Sequence, residues 1–293
     1  MSTPDTPNTI YLKDYTQPEY WIDTVNLRFE LGDETRVVAE MELRRNPAVN
    51  GHHVLELYGE HLRLGAIMLN EHALANGQFS VDEGRLLIPD VPEQFTLQIE
   101  TFIKPASNKS LEGLYKSSGN FCTQCEAEGF RKITYYLDRP DVMARFSTTI
   151  VADKKHYPVL LSNGNLVDSG DMDHGRHYAV WEDPFKKPSY LFALVAGNLQ
   201  CVEDHFVTMS GRKVALKIYV ESHNVNKCAH AMQSLQRAMA WDEQKYGREY
   251  DLDIYMIVAV DDFNMGAMEN KGLNVFNSKF VLARPETATD LDF

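Results

Sequence analysis

The five residues Gly266–Asn270, GAMEN, present one acidic side chain, that of Glu269, in a stretch of small and apolar groups. Because Gly266 and Ala267 have almost no side chain, a ligand backbone can approach them closely and pair with their N–H and C=O groups. The residues that follow, Leu273–Asn277, alternate as a half-buried or edge strand would. A carboxylate beside such an edge suits an extended peptide that carries a cation.

A second group of candidate residues lies between Cys122 and Arg131, in the sequence CTQCEAEGFR. Cys122 and Cys125 could form half of a zinc site or a redox pair. No second CxxC and no well-spaced histidine follows, so we expect two reduced, packed thiols. Glu126 and Glu128 would share a face if they lay on a strand, so their spacing does not choose between them. Glu128 could instead pair with Arg131.

Other candidates for a metal site are weak. The doublet Asp261–Asp262 could hold a metal, but a charged strand end is the favoured interpretation. Among the ten histidines, His52 and His53 are adjacent, and His174 and His177 lie in a predicted turn without an acidic residue between them. The sequence contains no HExxH, the helical pattern in which two histidines hold zinc beside a glutamate base. We expect no metal site within this chain.

The bulk composition restricts the class of ligand. The chain has 293 residues, 44% hydrophobic and 24% charged, which is typical of a globular protein with a large core. With 29 basic and 42 acidic residues its formal charge is -13, so nucleic acid would be repelled and cationic or neutral ligands are favoured. The first residues contain no basic segment followed by an apolar one, and no run approaches the roughly 18 apolar residues of a membrane span. We therefore expect a cytoplasmic protein.

Within the first 200 residues, several short runs carry apolar side chains at every second position. Val25–Leu31 alternates in this way, Gly32–Asp33 supplies a turn, and Ala39–Leu43 resumes the alternation, which predicts a hairpin. Similar short runs recur at Phe95–Ile99, Phe146–Ile150, Val159–Leu161 and His177–Trp181. Many short strands joined by turns indicate a mainly β domain of antiparallel, sandwich-like sheets.

The pattern changes near residue 198. The first long helix follows, with Ser222 as its expected N-cap and Gly247 as the left-handed residue after its end. A compact apolar strand, Ile254–Val260, comes next. We therefore divide the chain into a β-rich domain, 1–198, and the beginning of an α+β domain, 199–293.

GAMEN before a strand, together with the segment Cys122–Arg131, resembles the M1 family of zinc aminopeptidases. The flanking segments Ile133–Asp141 and Asn274–Lys279 are similar to the bacterial aminopeptidase N branch of that family. The resemblance runs over nearly the whole chain. It implies that residues 199–293 are the N-terminal part of a thermolysin-like catalytic domain.

The resemblance also implies roles for individual residues. Glu126 and Glu269 would bind the free α-ammonium group of a peptide. Gly266 and Ala267 would line the first residue of the substrate and the scissile bond. Gln124 and Met265 would shape the pocket for the first side chain. Met268 and Asn270 would shape the loop. Two carboxylates held close repel each other, and an incoming ammonium relieves that repulsion.

The family's chemistry requires one zinc ion, and the resemblance implies that the zinc helix follows shortly after the segment matching Thr287–Phe293. We therefore expect zinc only in a full-length protein that includes a missing C-terminal part, and we expect the present chain to be inactive alone. The implied partners are peptides with a free N-terminus. A non-catalytic, M1-like peptide-binding or scaffold module that lacks the metal site is the alternative.

Overall fold

The computed structural model describes residues 9, 11–49, 54–82 and 84–293. Most of the regular structure is β, as the alternation predicts. Up to residue 198 the strands are β1 (Tyr20–Glu30), β2 (Thr35–Arg45), β3 (Leu55–Tyr58), β4 (Arg63–Leu69), β5 (His72–Ala73), β6 (Ser80–Asp82), β7 (Arg85–Ile88), β8 (Gln94–Ile103), β9 (Gly113–Ser117), β10 (Asn120–Gln124), β11 (Met143–Asp153), β12 (Val159–Ser162), β13 (Asn165–Asp171), β14 (Arg176–Pro188) and β15 (Leu194–Gly197). A short 3-10 helix, Leu12–Asp14, precedes β1, and others lie between strands at Pro105–Ser107, Phe130–Lys132, Asp173–Gly175 and Ser189–Leu191.

The largest sheet has eight strands in the order β13-β14-β11-β1-β2-β8-β4-β5. The predicted hairpin is confirmed: β1 and β2 are antiparallel, with Leu27 opposite Ala39. Val25, Leu27 and Phe29 are buried, whereas the residues between them are more exposed. The side-chain period of two thus places one face of this sheet on the core. A three-stranded sheet has the order β3-β7-β6.

A four-stranded sheet, ordered β12-β15-β10-β9, supports the site described below. At one end of it Gln124, the last residue of β10, lies opposite Gly113 of β9, and Ser162 of β12 lies opposite Leu194 of β15. The Leu194 backbone N–H donates to the Thr123 hydroxyl at 2.8 Å, which aligns β15 with β10. We call this end of the sheet, where β10 and β12 finish and β9 and β15 begin, the Gln124 end.

The remaining strands form a five-stranded sheet in the order β16-β17-β18-β20-β19. Its elements are β16 (Gln200–Val207), β17 (Lys213–Val220), the 3-10 helix Ser222–Lys227, α1 (Ala229–Tyr246), β18 (Ile254–Val260), β19 (Ala267–Met268), β20 (Leu273–Asn277) and α2 (Ser278–Val281). Strand β18 is parallel to both of its neighbours, β17 and β20. A parallel pair needs a long crossover, and α1 supplies it between β17 and β18.

The predicted helix exists, but its N-terminal boundary was wrong. Ser222 begins a 3-10 helix, and α1 begins at Ala229 with Cys228 in the cap position. A serine before an apolar helical pattern is also compatible with a 3-10 turn, so the cap signal alone did not place the start. The C-terminal prediction is confirmed, because Gly247 has a left-handed φ of 63°.

The strand Leu273–Asn277 was expected to be half-buried or to lie at an edge, and the structure excludes the edge position. β20 lies between β18 and β19, and its first three residues are buried. The two-residue strand β19 within GAMEN forms the edge instead. An alternating run does not reveal which neighbours it will pair with, because that depends on residues distant in sequence.

The apolar core extends across both parts of the chain. Met256, Val258 and Met268 belong to the same buried cluster as Phe121 and Cys122 of β10. A second cluster lies between α1 and the five-stranded sheet. Strand pairing changes between β15 and β16, and we propose residue 198 as the domain boundary for that reason. Among the described residues, no helix is both long enough and apolar enough to cross a membrane.

Candidate functional site

The loop after β18 is attached to the outer strand β9. The Ser117 hydroxyl donates to Asp262 Oδ2 at 2.8 Å, and the Asp262 backbone N–H donates back to Ser117 Oγ at 3.1 Å. Two residues later, Asn264 Nδ2 donates to the carbonyl oxygen of Ser110 at 3.1 Å, just before β9 begins. The loop therefore runs along β9 from its last residue to its first, which brings it to the Gln124 end.

The other end of the loop is attached to the opposite outer strand of the same sheet. Asn163, directly after β12, donates from Nδ2 to the carbonyl oxygen of Lys271 at 2.8 Å and accepts from the Ala193 backbone N–H at 2.8 Å. The backbones approach so closely here that a Cβ on Gly272 would lie 3.1 Å from the Gly164 nitrogen. Because β9 and β12 are the outer strands, residues 265–270 must cross the Gln124 end between them.

The turn that carries Glu126 leaves the same end of the sheet. β10 ends at Gln124, residues 126–129 form a turn, and the Gly129 N–H donates to the Cys125 carbonyl at 2.8 Å. A Cβ on Gly129 would lie 2.6 Å from the Gln124 carbonyl oxygen, so the turn packs tightly against the strand. Since this segment is a turn and not a strand, Glu126 and Glu128 do not share a strand face.

The two glutamates on this turn have different environments. Glu128 forms the expected ion pair, with its Oε1 3.1 Å from Arg131 Nη2. Glu126 is exposed and, like Glu269, forms no salt bridge with any other described residue. Two carboxylates without cationic partners among the described residues thus lie on two segments that both reach the Gln124 end.

The GAMEN residues form the free edge of the five-stranded sheet. Ala267 lies opposite Phe276, and the Asn277 backbone N–H donates to the Gly266 carbonyl at 3.0 Å. In an antiparallel ladder, hydrogen-bonded and non-hydrogen-bonded pairs alternate, so Ala267 directs its own N–H and C=O away from β20. This edge can accept one more extended chain.

The other predicted site residues differ in burial. Met268 is fully buried and packs in the core, whereas Met265 is 47% exposed. Gln124 and Asn270 are buried, and their side-chain oxygens Oε1 and Oδ1 have no hydrogen-bond partner among the described residues. An unpaired buried acceptor costs about 1 to 3 kcal/mol, so these two oxygens lower the stability of the site region.

The sequence did not reveal the residues that attach this loop. Asn163 was not singled out, and Asp262 was considered only as part of a charged strand end or of a metal site. The hydrogen bonds of Asp262 to Ser117 and of Asn163 to Lys271 join residues more than 100 positions apart. Short-range pattern carries no signal for such contacts.

The described residues do not fit a zinc ion. No group of three or more histidine, cysteine, aspartate or glutamate side chains in the described part of the chain could hold a metal, and His52 and His53 lie outside that part. Cys122 and Cys125 are free, buried thiols. Burial raises the pKa of Cys122 to about 12 and the pKa of Cys125 well above its ordinary value.

Comparison with known proteins agrees with this architecture. Residues 67–191 match the peptidase M1 N-terminal domain, and residues 230–292 match the peptidase family M1 domain. The chain belongs to peptidase family M1 and corresponds to the N-terminal portion of that family's proteins. The predicted family and the predicted fold class are both confirmed.

Three of the proteins that match nearly the whole chain are bacterial and of greater length. The chain is 56% identical to aminopeptidase N of Caulobacter vibrioides over 99% of its own length, and 54% identical to aminopeptidase N of Escherichia coli over 98%. The crystal structure of Legionella pneumophila aminopeptidase A in complex with aspartic acid superposes on 96% of the chain with a TM-score of 0.92 and 37% identity. The chain spans 33% of each of these three proteins.

Proposed function

We propose that this chain supplies the amine-binding part of a zinc metalloaminopeptidase, which removes N-terminal amino acids from peptides. The observation that carries the proposal is the path of the GAMEN loop across the Gln124 end. This path brings the segment with Glu269 to the end of the sheet where the turn with Glu126 begins. The similarity to aminopeptidases from three bacteria supports the same assignment.

In this proposal Glu126 and Glu269 hold the α-ammonium group of the substrate between them. An ammonium has three donors and a positive charge, which match two carboxylates that have no cation of their own. The backbone of Ala267 extends the sheet by pairing with the substrate's main chain, next to Gly266. Gln124 and Met265 contact the first side chain, while Met268 and Asn270 maintain the shape of the loop.

This arrangement selects the chain end over internal peptide bonds. An internal segment brings no ammonium, so the two carboxylates would be covered without a partner. By analogy with broken buried ion pairs, that would cost about 3 to 5 kcal/mol. The site thus favours removal of terminal residues over internal cleavage.

The catalytic metal is proposed for the remainder of a full-length protein. Zinc would polarise the scissile carbonyl and lower the pKa of a bound water. The present sequence has no HExxH, so we expect that this chain alone does not cleave an alanyl chromogenic substrate in the presence of zinc. We propose a cytoplasmic location for the full-length protein.

Binding of a small amine ligand tests the proposal directly. Alanylalanine amide, which carries a free N-terminus, should bind the chain, and its N-acetyl analogue should not; NMR titration measures both. Glu126→Gln and Glu269→Gln should each weaken binding of the free amine by about tenfold to hundredfold, because each removes a charge-assisted hydrogen bond.

Glu128→Gln is the matched control for these two variants. It changes a glutamate on the same turn that is already paired with Arg131, and it should weaken binding much less than Glu126→Gln does, because the glutamine amide oxygen can still accept from Arg131. Equal affinity for the free and acetylated ligands would contradict the proposed function. A loss of binding in Glu128→Gln together with normal binding in Glu126→Gln would transfer the amine-binding role to Glu128.

A further inference from the structure

Arg131 connects the turn that carries Glu126 to a buried carboxylate. Its Nη2 lies 3.1 Å from Glu128 Oε1 on the turn. The guanidinium also lies over the Tyr58 ring, 4.9 Å from the ring centroid. Its Nε donates to Asp138 Oδ2 at 3.2 Å. The Arg131 side chain is only 13% exposed, so these contacts restrict it strongly.

Asp138 receives donors from two separate parts of the chain. The Arg131 backbone N–H donates to Oδ2 at 3.1 Å, and the Ser189 hydroxyl donates to Oδ1 at 2.6 Å. Arg131 Nη2 also donates to the Asp138 carbonyl oxygen at 3.2 Å. The Asp138 side chain is 1% exposed, so the carboxylate fixes both the backbone and the guanidinium of Arg131 from within the core.

This anchor lies immediately beyond the turn. Phe130, next to Arg131, is fully buried and packs edge-on against Tyr136. The backbone N–H groups of Gly129 and Lys132 donate to the carbonyls of Cys125 and Gly129, at 2.8 and 3.0 Å. From Gln124 to Asp138, the exposed part is thus the short turn that includes Glu126, held at one end by β10 and at the other by Arg131.

We propose that Arg131, fixed by Asp138, is a positioning residue of the amine-binding site: it determines where the turn places the Glu126 carboxylate. The inference rests on the proposed function, since it assigns Arg131 to that same site. The bidentate shape of the guanidinium matters here, because a lysine would keep the charge but could not engage Asp138 and Glu128 simultaneously through a planar fork. Small misplacement of a group that positions a substrate has large effects on binding and rate.

Arg131→Lys tests the proposal with two readouts. Hydrogen exchange of the Gly129 and Lys132 amides should accelerate by about tenfold. The affinity for alanylalanine amide should also fall by about tenfold, which is the size of effect seen when a residue that orients a binding group is removed. The N-acetyl analogue should bind as it does to the unchanged chain. Arg139→Lys is the matched control, because Arg139 forms a comparable ion pair with Asp141 away from the turn, and both readouts should remain unchanged.

Each outcome is decisive. Arg131 does not position the site if the Arg131→Lys variant has the same amide hydrogen exchange and the same ligand affinity as the unchanged chain. The same conclusion follows if only its hydrogen exchange changes and its ligand affinity does not. If the unchanged chain shows no preference for the free amine, the proposed function fails, and the exchange data still decide whether Arg131 holds the turn. Should Arg131→Lys fail to fold, Asp138→Asn, which keeps the side-chain shape, provides the same two measurements.

Discussion

Glu126 and Glu128 illustrate how environment separates two chemically identical residues. Both are exposed on one turn, yet only Glu128 meets a guanidinium, that of Arg131. The pairing was anticipated as one alternative from the three-residue spacing, but its geometry depends on how Asp138 orients Arg131. A carboxylate that already has a cation gains little from a second one. This difference is the physical reason for assigning ligand binding to Glu126.

The cysteines allow a test at the level of single side chains. Cys122, Cys125 and Cys228 are buried, and burial raises the pKa of each thiol. Since the thiolate is the reactive form, we expect a thiol reagent at mildly alkaline pH to modify at most the exposed Cys201 in the native chain. All four should react in urea. Mass spectrometry counts the modified thiols.

Cys201→Ser is the control for this labelling experiment. The variant should show no modification under native conditions. Rapid native labelling of Cys122 or Cys125 would contradict the interpretation of the CxxC pair as packed, unreactive thiols.

At the level of elements, the sequence predicted strands and turns well and their partners poorly. Alternation identified β1 and β2, because one face of each strand must be apolar to be buried, and a continuous apolar run identified β18. The cap signal misplaced the start of α1, and alternation did not locate the edge of the five-stranded sheet. The GAMEN residues were recognisable, but their position at the Gln124 end depends on contacts across the fold. Register between distant strands is a tertiary property that no local window contains.

Asn163 tests the attachment of the GAMEN loop to β12. Asn163→Ala removes hydrogen bonds to Lys271 and Ala193, leaving backbone groups unpaired in a region where Asn163 is 3% exposed. We expect the free energy of unfolding to fall by about 2 to 4 kcal/mol, measured by urea denaturation. Asn198→Ala, at an exposed position, should change it by less than about 0.5 kcal/mol. Similar small effects for both variants would show that the Asn163 contacts do not hold the loop.

At the level of the whole molecule, most charge lies at the surface, but the ion pair between Lys187 and Asp183 is buried. Lys187 Nζ lies 3.2 Å from Asp183 Oδ2, with side chains 3% and 0% exposed, and 4.1 Å from the Phe146 ring centroid. Burial lowers the pKa of Lys187 to about 8, although Asp183 opposes the shift. The folded chain therefore binds fewer protons than the unfolded chain between about pH 8 and the ordinary lysine value of 10.5.

The pH dependence of stability follows from this difference. Where the unfolded state binds more protons, the free energy of unfolding rises with pH, here by at most about 1.4 kcal/mol per pH unit for one group. Urea denaturation from about pH 7.5 to about pH 9.5 should show that increase relative to the double variant Asp183→Asn, Lys187→Met. The double variant removes both partners and leaves no single buried charge. Parallel pH profiles for the two proteins would exclude a lowered pKa for Lys187.

The buried cluster that joins β10 to β18 and β20 has a consequence for how the chain melts. Met256, Val258 and Met268 lose their apolar neighbours if the β-rich part unfolds, and Phe121 and Cys122 lose theirs if the later part does. Neither part can therefore open without exposing the other's interior to water. The proposed boundary at residue 198 separates two patterns of strand pairing that share one buried core, so the proposed amine-binding site should be lost when either half unfolds.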